Sequence, residues 1–239
     1  MENRFTHSGD LGDIIYSLPT IRALGGGRLI LFDSPALTHH GMSAQRASFI
    51  IPLLEAQPYI TGVEFSEEPV EDTPLNHFRE FGATGRNLAD MHLAAYGLPS
   101  RERDTPWLHV SEAIRTTPVV ISRTPRYRTP FPWQRVADKY REAITFIGLE
   151  REHQSFCRRY GDVEYRPTAN LLEAARVIAG CDLFVGNQGS LSAIAHGLHQ
   201  NQVLAIHSGN CQFERASLMN VWGMDSEPTD PPAAFTVSL

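Results

Sequence analysis

The sequence predicts an α/β protein built from two small domains, each with a mainly parallel sheet. Strand and helix patterns alternate along the whole chain, which is typical of parallel sheets covered by helices on both faces. An apolar strand, a turn of small residues and a helix follow one another at residues 5–18 and again at residues 183–198. We therefore expect two domains of similar architecture that face each other across a cleft.

The elements of the first half follow from apolar periodicity and from the residues that interrupt it. Pro19 falls inside the first predicted helix and has no N–H for the Ile15 carbonyl, so it should kink or shorten that helix. The glycine run at residues 25–27 stops the helix, and a polar loop is expected at residues 67–74. Strands are predicted at residues 4–7, 28–32 and 62–65, and helices at residues 11–24, 45–56 and 86–96.

A charged, proline-containing segment at residues 99–118 separates the two halves. We accordingly predict an N-terminal domain at residues 1–115 and a C-terminal domain at residues 116–239. The proline-rich tail after Asp225 is expected to be an extended strap or frayed. In the second half, strands are predicted at residues 119–122, 144–147, 163–165, 183–185 and 202–206, and helices from residue 133, at residues 150–159 and 171–179, and from residue 190.

Composition and charge limit the classes of protein. No apolar run reaches the roughly 20 residues of a membrane span, and the first residues lead into a strand, so a cytoplasmic protein is expected. The net charge of −6 argues against general nucleic-acid binding. Cys157, Cys181 and Cys211 form no Cys-x-x-Cys pair and are predicted to be free thiols. Neither a metal site nor a cofactor is predicted.

The turn at residues 186–189 has the local features of an anion site. An apolar strand stops there and a helix begins, so unpaired N–H groups and a partial positive charge are expected above Gly189 and Ser190. Ser190 is expected to cap the helix. A phosphate or carboxylate would fit this position. The alternative is an ordinary strand-to-helix connection of an α/β protein.

Two motifs together resemble a known family of enzymes. They are Gly9-Asp-Leu-Gly-Asp-Ile-Ile-Tyr-Ser-Leu-Pro19 and Ala179-Gly-Cys-Asp-Leu-Phe-Val-Gly-Asn-Gln-Gly-Ser190. In order and spacing they are similar to motifs of the heptosyltransferases of glycosyltransferase family 9. The resemblance implies the GT-B fold, with two facing Rossmann-like domains, a nucleotide-activated sugar as donor, and no metal. The chain is shorter than typical members, so a trimmed version is implied.

The resemblance places Asp13 as the general base that takes a proton from an acceptor hydroxyl. We expect a low pKa for this carboxylate because it lies near a helix N-terminus. Gly9, Asp10 and Gly12 form the turn that leads to it. The structural alternative for Asp13 is a first-turn carboxylate that stabilises the helix dipole.

The resemblance also assigns residues to the donor. Arg123 matches the basic residue on the donor phosphates, in a chain segment where arginines cluster. Glu152 matches the acidic residue that holds the ribose hydroxyls, with Glu150 as the competing alignment. Asn187 and Gln188 stand at donor-binding positions where many members carry Asp and a small hydroxyl residue. An amide can hydrogen-bond sugar hydroxyls but carries no charge, so we expect the donor sugar or its orientation to differ. The clustered arginines are Arg123, Arg126, Arg128, Arg135 and Arg141.

These observations lead to one main function and one alternative. The main prediction is an inverting glycosyltransferase that moves a sugar from a nucleotide-sugar donor to an acceptor hydroxyl. The acceptor is a surface glycan or, if the protein is encoded by a phage, a modified DNA base. The alternative is a non-catalytic module that binds a nucleotide or nucleotide sugar. A dinucleotide-dependent oxidoreductase is disfavoured because the first turn lacks the Gly-x-Gly-x-x-Gly spacing.

Overall fold

The computed structural model describes residues 2–34, 41–70, 72–81, 87–125, 131–205 and 219–222. The chain divides into two compact units. The first contains Met1–Val110 and Asn170–Leu172, and the second contains Ser111–Ala169 and most of the chain after Glu173. The change of unit after Val110 falls slightly before the predicted boundary at 115/116. Every described strand pairing is parallel, which confirms the predicted α/β class.

The first unit holds a four-stranded sheet in the order β3-β2-β1-β4. Its strands are β1 Arg4–His7, β2 Gly27–Phe32, β3 Ile60–Ser66 and β4 Thr73–Pro74. Its helices are α1 Leu11–Ala23, α2 Ala44–Glu55 and α3 Leu88–Ala95, with 3₁₀ helices at Leu75–Phe81 and Ser100–Arg103. Strand β4 was not predicted, because two residues, one of them proline, are too few to show a strand period.

The second unit holds a six-stranded sheet in the order β10-β9-β8-β5-β6-β7. Its strands are β5 Val119–Ser122, β6 Ile144–Phe146, β7 Glu164–Tyr165, β8 Leu183–Asn187, β9 Gln202–Ala205 and β10 Met219–Trp222. The remaining helices are α4 Trp133–Tyr140, α5 Glu150–Tyr160, α6 Leu171–Ala179 and α7 Ser190–Gly197, with a 3₁₀ helix at Arg141–Ala143. Every residue of β8 is buried, as expected of a strand covered on both faces.

Of the two effects predicted for Pro19, a kink or a shortened helix, the shortening does not occur, because α1 continues through Pro19 as far as Ala23. The indole Nε1 of Trp107 donates a hydrogen bond to the Ile15 carbonyl at 3.2 Å. Pro19 is the residue whose N–H would normally bond that carbonyl, and a proline has none. Trp107 therefore supplies the missing donor from a distant part of the chain, and it is fully buried beside Tyr16.

Residues 99–110 belong to the first unit although they lack regular structure after Arg103. Arg22 donates to the Pro106 carbonyl at 2.7 Å, and Tyr59 donates to the carbonyl of Trp107. The His109 amide donates to the Gln57 side chain at 2.8 Å. The sequence suggested that this segment was a linker. These bonds instead fix it to α1, α2 and the start of β3.

The cysteines, the C-terminal tail and possible membrane spans were also subjects of sequence predictions. Cys157 and Cys181 are free thiols, as predicted, whereas Cys211 lies outside the described residues. The tail after Asp225 lies outside them as well. Among the helices that the structure describes, none is long and apolar enough to cross a membrane.

Candidate functional site

Both sheets place the predicted turns where a parallel sheet binds ligands. In each unit the first strand along the chain lies between the second strand and the fourth, so the strand order reverses beside it. Parallel sheets bind ligands at the carboxyl ends of the strands at such a reversal. In the first unit this position lies between β1 and β4, and in the second unit between β5 and β8. The glycine-containing turns follow β1 and β8.

The turn after β1 is held by contacts that need a glycine. The Gly9 amide donates to His7 Nδ1 at 2.8 Å. A methyl group at Gly9 would lie 2.4 Å from the His7 ring and 3.2 Å from Asp13 Cβ, which is too close. Asn76, which follows β4, donates to the Ser8 hydroxyl at 2.9 Å and so joins the carboxyl ends of β1 and β4. The turn and the first residues of α1 therefore have little freedom to move.

Asp10 and Gly12 have different positions in this turn. Asp10 is the N-cap of α1, but its side chain makes no capping hydrogen bond and instead pairs with Arg46 at 3.1 Å. Gly12 is the second residue of α1. Asp10 thus lies at the end of the turn, whereas Gly12, which was predicted in the turn, already belongs to the helix.

Asp13 is the third residue of α1, and its side chain is 18% exposed. Its Oδ2 accepts a hydrogen bond from Arg79 Nη2 at 2.7 Å. Burial raises the pKa of Asp13 to about 6, although the charge of Arg79 and the hydrogen bond from it act to lower that pKa. The expectation of a low pKa is therefore wrong, because loss of hydration outweighs the favourable charges nearby.

Sequence reasoning missed two buried histidines beside this turn. His7 and His92 are fully buried, with ring centroids 5.7 Å apart, and Phe78 packs on His92 at 4.0 Å. His7 Nε2 and both ring nitrogens of His92 have no hydrogen-bond partner among the described residues. Burial lowers the pKa of His7 to about 3 and the pKa of His92 far below its usual value. Both rings are therefore neutral at neutral pH.

Asn187 ends β8, and its side chain is engaged by the protein. Its Oδ1 accepts a hydrogen bond from the Thr124 amide at 2.9 Å, and its Nδ2 donates to the Thr124 carbonyl at 2.7 Å. The amide thereby joins the carboxyl ends of β5 and β8 and fixes the backbone next to Arg123. The structure thus gives Asn187 a bridging role, whereas the sequence suggested a contact with the donor sugar.

The turn after β8 leads into the N-terminus of α7, where the N-cap residue is a glycine and has no capping side chain. Gly189 is the N-cap of α7, and no side-chain hydrogen bond caps it there. Ser190 is the first helical residue, so the expectation that Ser190 caps the helix is wrong. Gln188 is buried, whereas Gly189 is exposed. A helix N-terminus of this kind can accept an anion through its backbone N–H groups.

Gly189 and Gly186 make a matched pair for testing this turn. Gly189 has extended backbone with φ of 166°, and a methyl group there would lie 3.9 Å from the Asn187 carbonyl oxygen. A methyl group at Gly186 would lie 2.7 Å from the Phe184 ring. Gly189→Ala should change the free energy of unfolding by less than about 0.5 kcal/mol, whereas Gly186→Ala should cost about 1–3 kcal/mol.

If this turn binds a phosphate, as the sequence predicts, only Gly189→Ala should act through ligand binding, because its methyl group would stand where the phosphate approaches the backbone. We expect it to raise the KM for the donor about tenfold or more, measured beside chemical denaturation of the same sample. An unchanged KM would exclude Gly189 from the donor site.

Arg123 and Glu152 also lie near the carboxyl ends of strands in the second unit. Arg123 follows β5, and its guanidinium carbon is 5.5 Å from the centroid of the Tyr160 ring. Glu152 Oε2 accepts a hydrogen bond from the Leu149 amide at 3.3 Å, and a methyl group at Gly148 would lie 3.3 Å from that oxygen. The carboxylate of Glu152 therefore lies beside the turn that follows β6.

The competing carboxylate, Glu150, is exposed and accepts a hydrogen bond from Gln154 on its own helix. The geometry thus favours Glu152 over Glu150 for a ligand at the strand ends. Arg126 and Arg128 lie outside the described residues.

Comparison with known proteins gives matches of structure only. No protein-family model matches the chain, and no curated protein sequence matches it. The structure of a family 9 glycosyl transferase from Veillonella parvula matches with a TM-score of 0.64 and 13% identity, over 95% of this chain and 88% of that chain. The chain has the fold of the family 9 glycosyltransferases. This result confirms the fold that the two motifs implied.

Two further solved structures share this family 9 fold. The E. coli heptosyltransferase WaaC, solved with ADP-2-deoxy-2-fluoro heptose, matches with a TM-score of 0.54 and 11% identity over 92% of each chain. TibC, an iron-containing dodecameric glycosyltransferase from enterotoxigenic E. coli, matches with a TM-score of 0.52 and 16% identity over 84% of this chain and 56% of that chain. In the described part of the present chain, no three His, Cys, Asp or Glu residues are grouped to hold a metal ion.

Proposed function

We propose that this protein is an inverting glycosyltransferase that moves a sugar from a nucleotide-sugar donor to an acceptor hydroxyl. The observation that carries the proposal is the environment of Asp13. A carboxylate with a pKa of about 6 is ionised at neutral pH and basic enough to accept a proton. It follows the first glycine turn of a chain whose fold is that of known glycosyltransferases.

The second unit is proposed to bind the donor. Its strand order matches that of dinucleotide-binding sheets, whose ligands lie at the reversal of strand order. The N-terminus of α7, with glycine as its N-cap, and the guanidinium of Arg123 suit a diphosphate, and the carboxylate of Glu152 suits ribose hydroxyls. WaaC, which shares the fold, has been solved with ADP, a nucleoside diphosphate, and this supports a donor of that class.

The first unit is proposed to supply the base. Asp13 takes the proton from the acceptor hydroxyl while the oxygen of that hydroxyl attacks the anomeric carbon. The bond from that carbon to the diphosphate breaks, and the departing nucleoside diphosphate takes the electron pair. One displacement of this kind inverts the anomeric carbon. Arg123 and the α7 amides are proposed to stabilise the charge that develops on the leaving group.

No metal takes part in this proposed reaction, since Arg123 and a helix N-terminus can neutralise the leaving group. Activity should therefore survive EDTA. Loss of activity in EDTA, with recovery when a divalent cation is added, would refute the metal-free mechanism.

For the acceptor, the net charge of −6 favours a glycan hydroxyl over a hydroxyl on a DNA base. Salt-dependent binding to DNA would reverse that preference.

A panel of nucleotide sugars tests the proposal. A donor at a hundredfold excess over its Kd should add about 2.7 kcal/mol of stability and raise the Tm. Each donor that raises the Tm is then assayed for nucleotide release with glycan acceptors, and the anomeric configuration of the product is read by NMR. Binding without transfer to any acceptor would favour the non-catalytic module. No rise in Tm with any nucleotide would refute both functions.

A further inference from the structure

Asp13 forms an ion pair with Arg79, and the proposed reaction assigns no role to that arginine. Arg79 lies on the 3₁₀ helix that follows β4, and its Nη2 is 2.7 Å from Asp13 Oδ2. Its guanidinium carbon also lies 4.7 Å from the centroid of the Phe78 ring. Phe78 is itself buried and packs on His92. Arg79 is thus held on an aromatic face while it bonds the carboxylate.

We propose that Arg79 is a positioning residue that fixes the Asp13 side chain and keeps it in the form able to accept a proton. This inference rests on the proposed function, since it gives Asp13 its task as the base. The hydrogen bond engages one carboxylate oxygen, Oδ2, so Arg79 orients the side chain from one side. A guanidinium is suited to this task because it keeps its charge at every relevant pH.

The surroundings of Asp13 show why such a partner is needed. Burial opposes ionisation, and the charge of Asp10 opposes it too. The histidines are neutral and supply no positive charge, while Arg46 is paired with Asp10. Among the described residues, Arg79 is therefore the cation that favours the charged carboxylate. In the part of the chain that the structure describes, the titratable or charged groups around Asp13 are Asp10, Arg79, His7, His92 and Tyr16, and Arg46 forms an ion pair with Asp10.

The direct test is an NMR titration that needs no substrate. The protein is labelled with ¹³C at its aspartate carboxyl carbons, and the Asp13 signal is identified as the one missing in Asp13→Asn. Arg79→Gln should raise the titration midpoint of Asp13 by about one pH unit or more, because a neighbouring arginine typically lowers such a pKa by about 1–3 units. Arg79→Lys should raise it less. An unchanged midpoint in Arg79→Gln overturns the inference.

Arg46→Gln is the matched control. It removes an arginine that pairs with Asp10, the other carboxylate of the same turn. The Asp13 midpoint should move much less in Arg46→Gln than in Arg79→Gln. Equal movement in both variants would mean that general loss of positive charge, and not the Arg79 contact, sets the state of Asp13, and would overturn the inference.

The pH profile of kcat/KM separates positioning of the base from general structural support. In Arg79→Gln the acid limb should move to higher pH by the same amount as the NMR midpoint, and the rate above the new limb should stay below that of wild type because the carboxylate is no longer held in place. A uniform loss of rate at all pH values, with the limb unmoved, would overturn the inference. If no variant and no wild-type sample transfers sugar, the proposed function fails while the NMR titration still decides the role of Arg79.

Discussion

Asp13→Asn is expected to lower the rate of sugar transfer by about 10²–10⁴-fold, the usual contribution of a positioned general base. The amide has almost the same size and shape as the carboxylate but cannot accept the proton. The loss should appear in kcat, because Asp13 acts on the acceptor proton and not on the donor. Nucleotide release from the donor identified by the Tm screen measures it.

Asp10→Asn is the control for this substitution. Asp10 lies on the same turn, but its carboxylate pairs with Arg46. We expect Asp10→Asn to change the rate by less than about tenfold, since it removes a partly exposed ion pair of small energy. If Asp13→Asn keeps its rate, or if both variants lose it equally, Asp13 is not the base.

Asp13→Asn should also make the protein more stable. The ordinary pKa of an aspartate is 3.8, and burial raises that of Asp13 to about 6 in the folded state. Between those values the folded state binds more protons than the unfolded state, so the free energy of unfolding falls as pH rises. Well above pH 6, Asp13 is ionised in the folded state and lowers the free energy of unfolding by the full cost of burying its charge.

Asp13→Asn removes the penalty, so we expect it to gain about 1–3 kcal/mol at pH 7.5 and much less at pH 4. Chemical denaturation of wild type and variant at pH 4, 5, 6 and 7.5 measures the difference. The buried histidines are present in both proteins, so their own pH dependence cancels. A variant that is less stable at pH 7.5 would show that the carboxylate supports the fold.

Trp107→Ala is expected to lower the free energy of unfolding by about 3–5 kcal/mol. The side chain is fully buried against Tyr16, so its removal leaves a cavity, and it also leaves the Ile15 carbonyl without a donor. Trp107→Phe keeps most of the volume and loses the N–H, so it should cost about 1–3 kcal/mol. Denaturation by urea measures both effects.

Pro19→Ala tests whether Trp107→Phe is destabilising because the Ile15 carbonyl loses its hydrogen-bond donor. An alanine at that position restores the backbone N–H that an α-helix directs to the Ile15 carbonyl. Pro19→Ala should therefore stabilise Trp107→Phe by about 1 kcal/mol more than it stabilises wild type, a coupling that a double-mutant cycle isolates. Zero coupling would show that Trp107 acts by packing alone.

Local chemistry made the turns and most elements predictable from the sequence. The glycines after β1 and β8 interrupt apolar strands, and an interruption of that kind is visible without knowing the fold. Strand β4 was invisible because it has two residues. Yet β4 creates the reversal of strand order in the first unit, and it leads directly to the 3₁₀ helix that carries Arg79.

The environment of the base was the part that sequence could not supply. Asp13 and Arg79 are far apart along the chain, and only the pairing of β1 with β4 brings them together. A low pKa was the natural expectation for a carboxylate in the first turn of a helix. Burial reverses it, and burial depends on how α3 and the 3₁₀ helix pack around the turn, which no local pattern encodes.

The docking of residues 99–110 determines where this chain can be divided. A fragment that ended at Pro99 would contain every strand and helix α1 to α3 of the first unit, yet it would lack the indole that serves the Ile15 carbonyl. A fragment that ended at Val110 would keep that bond and the bonds to Arg22, Gln57 and Tyr59. In this part of the chain the first unit thus extends beyond its regular secondary structure.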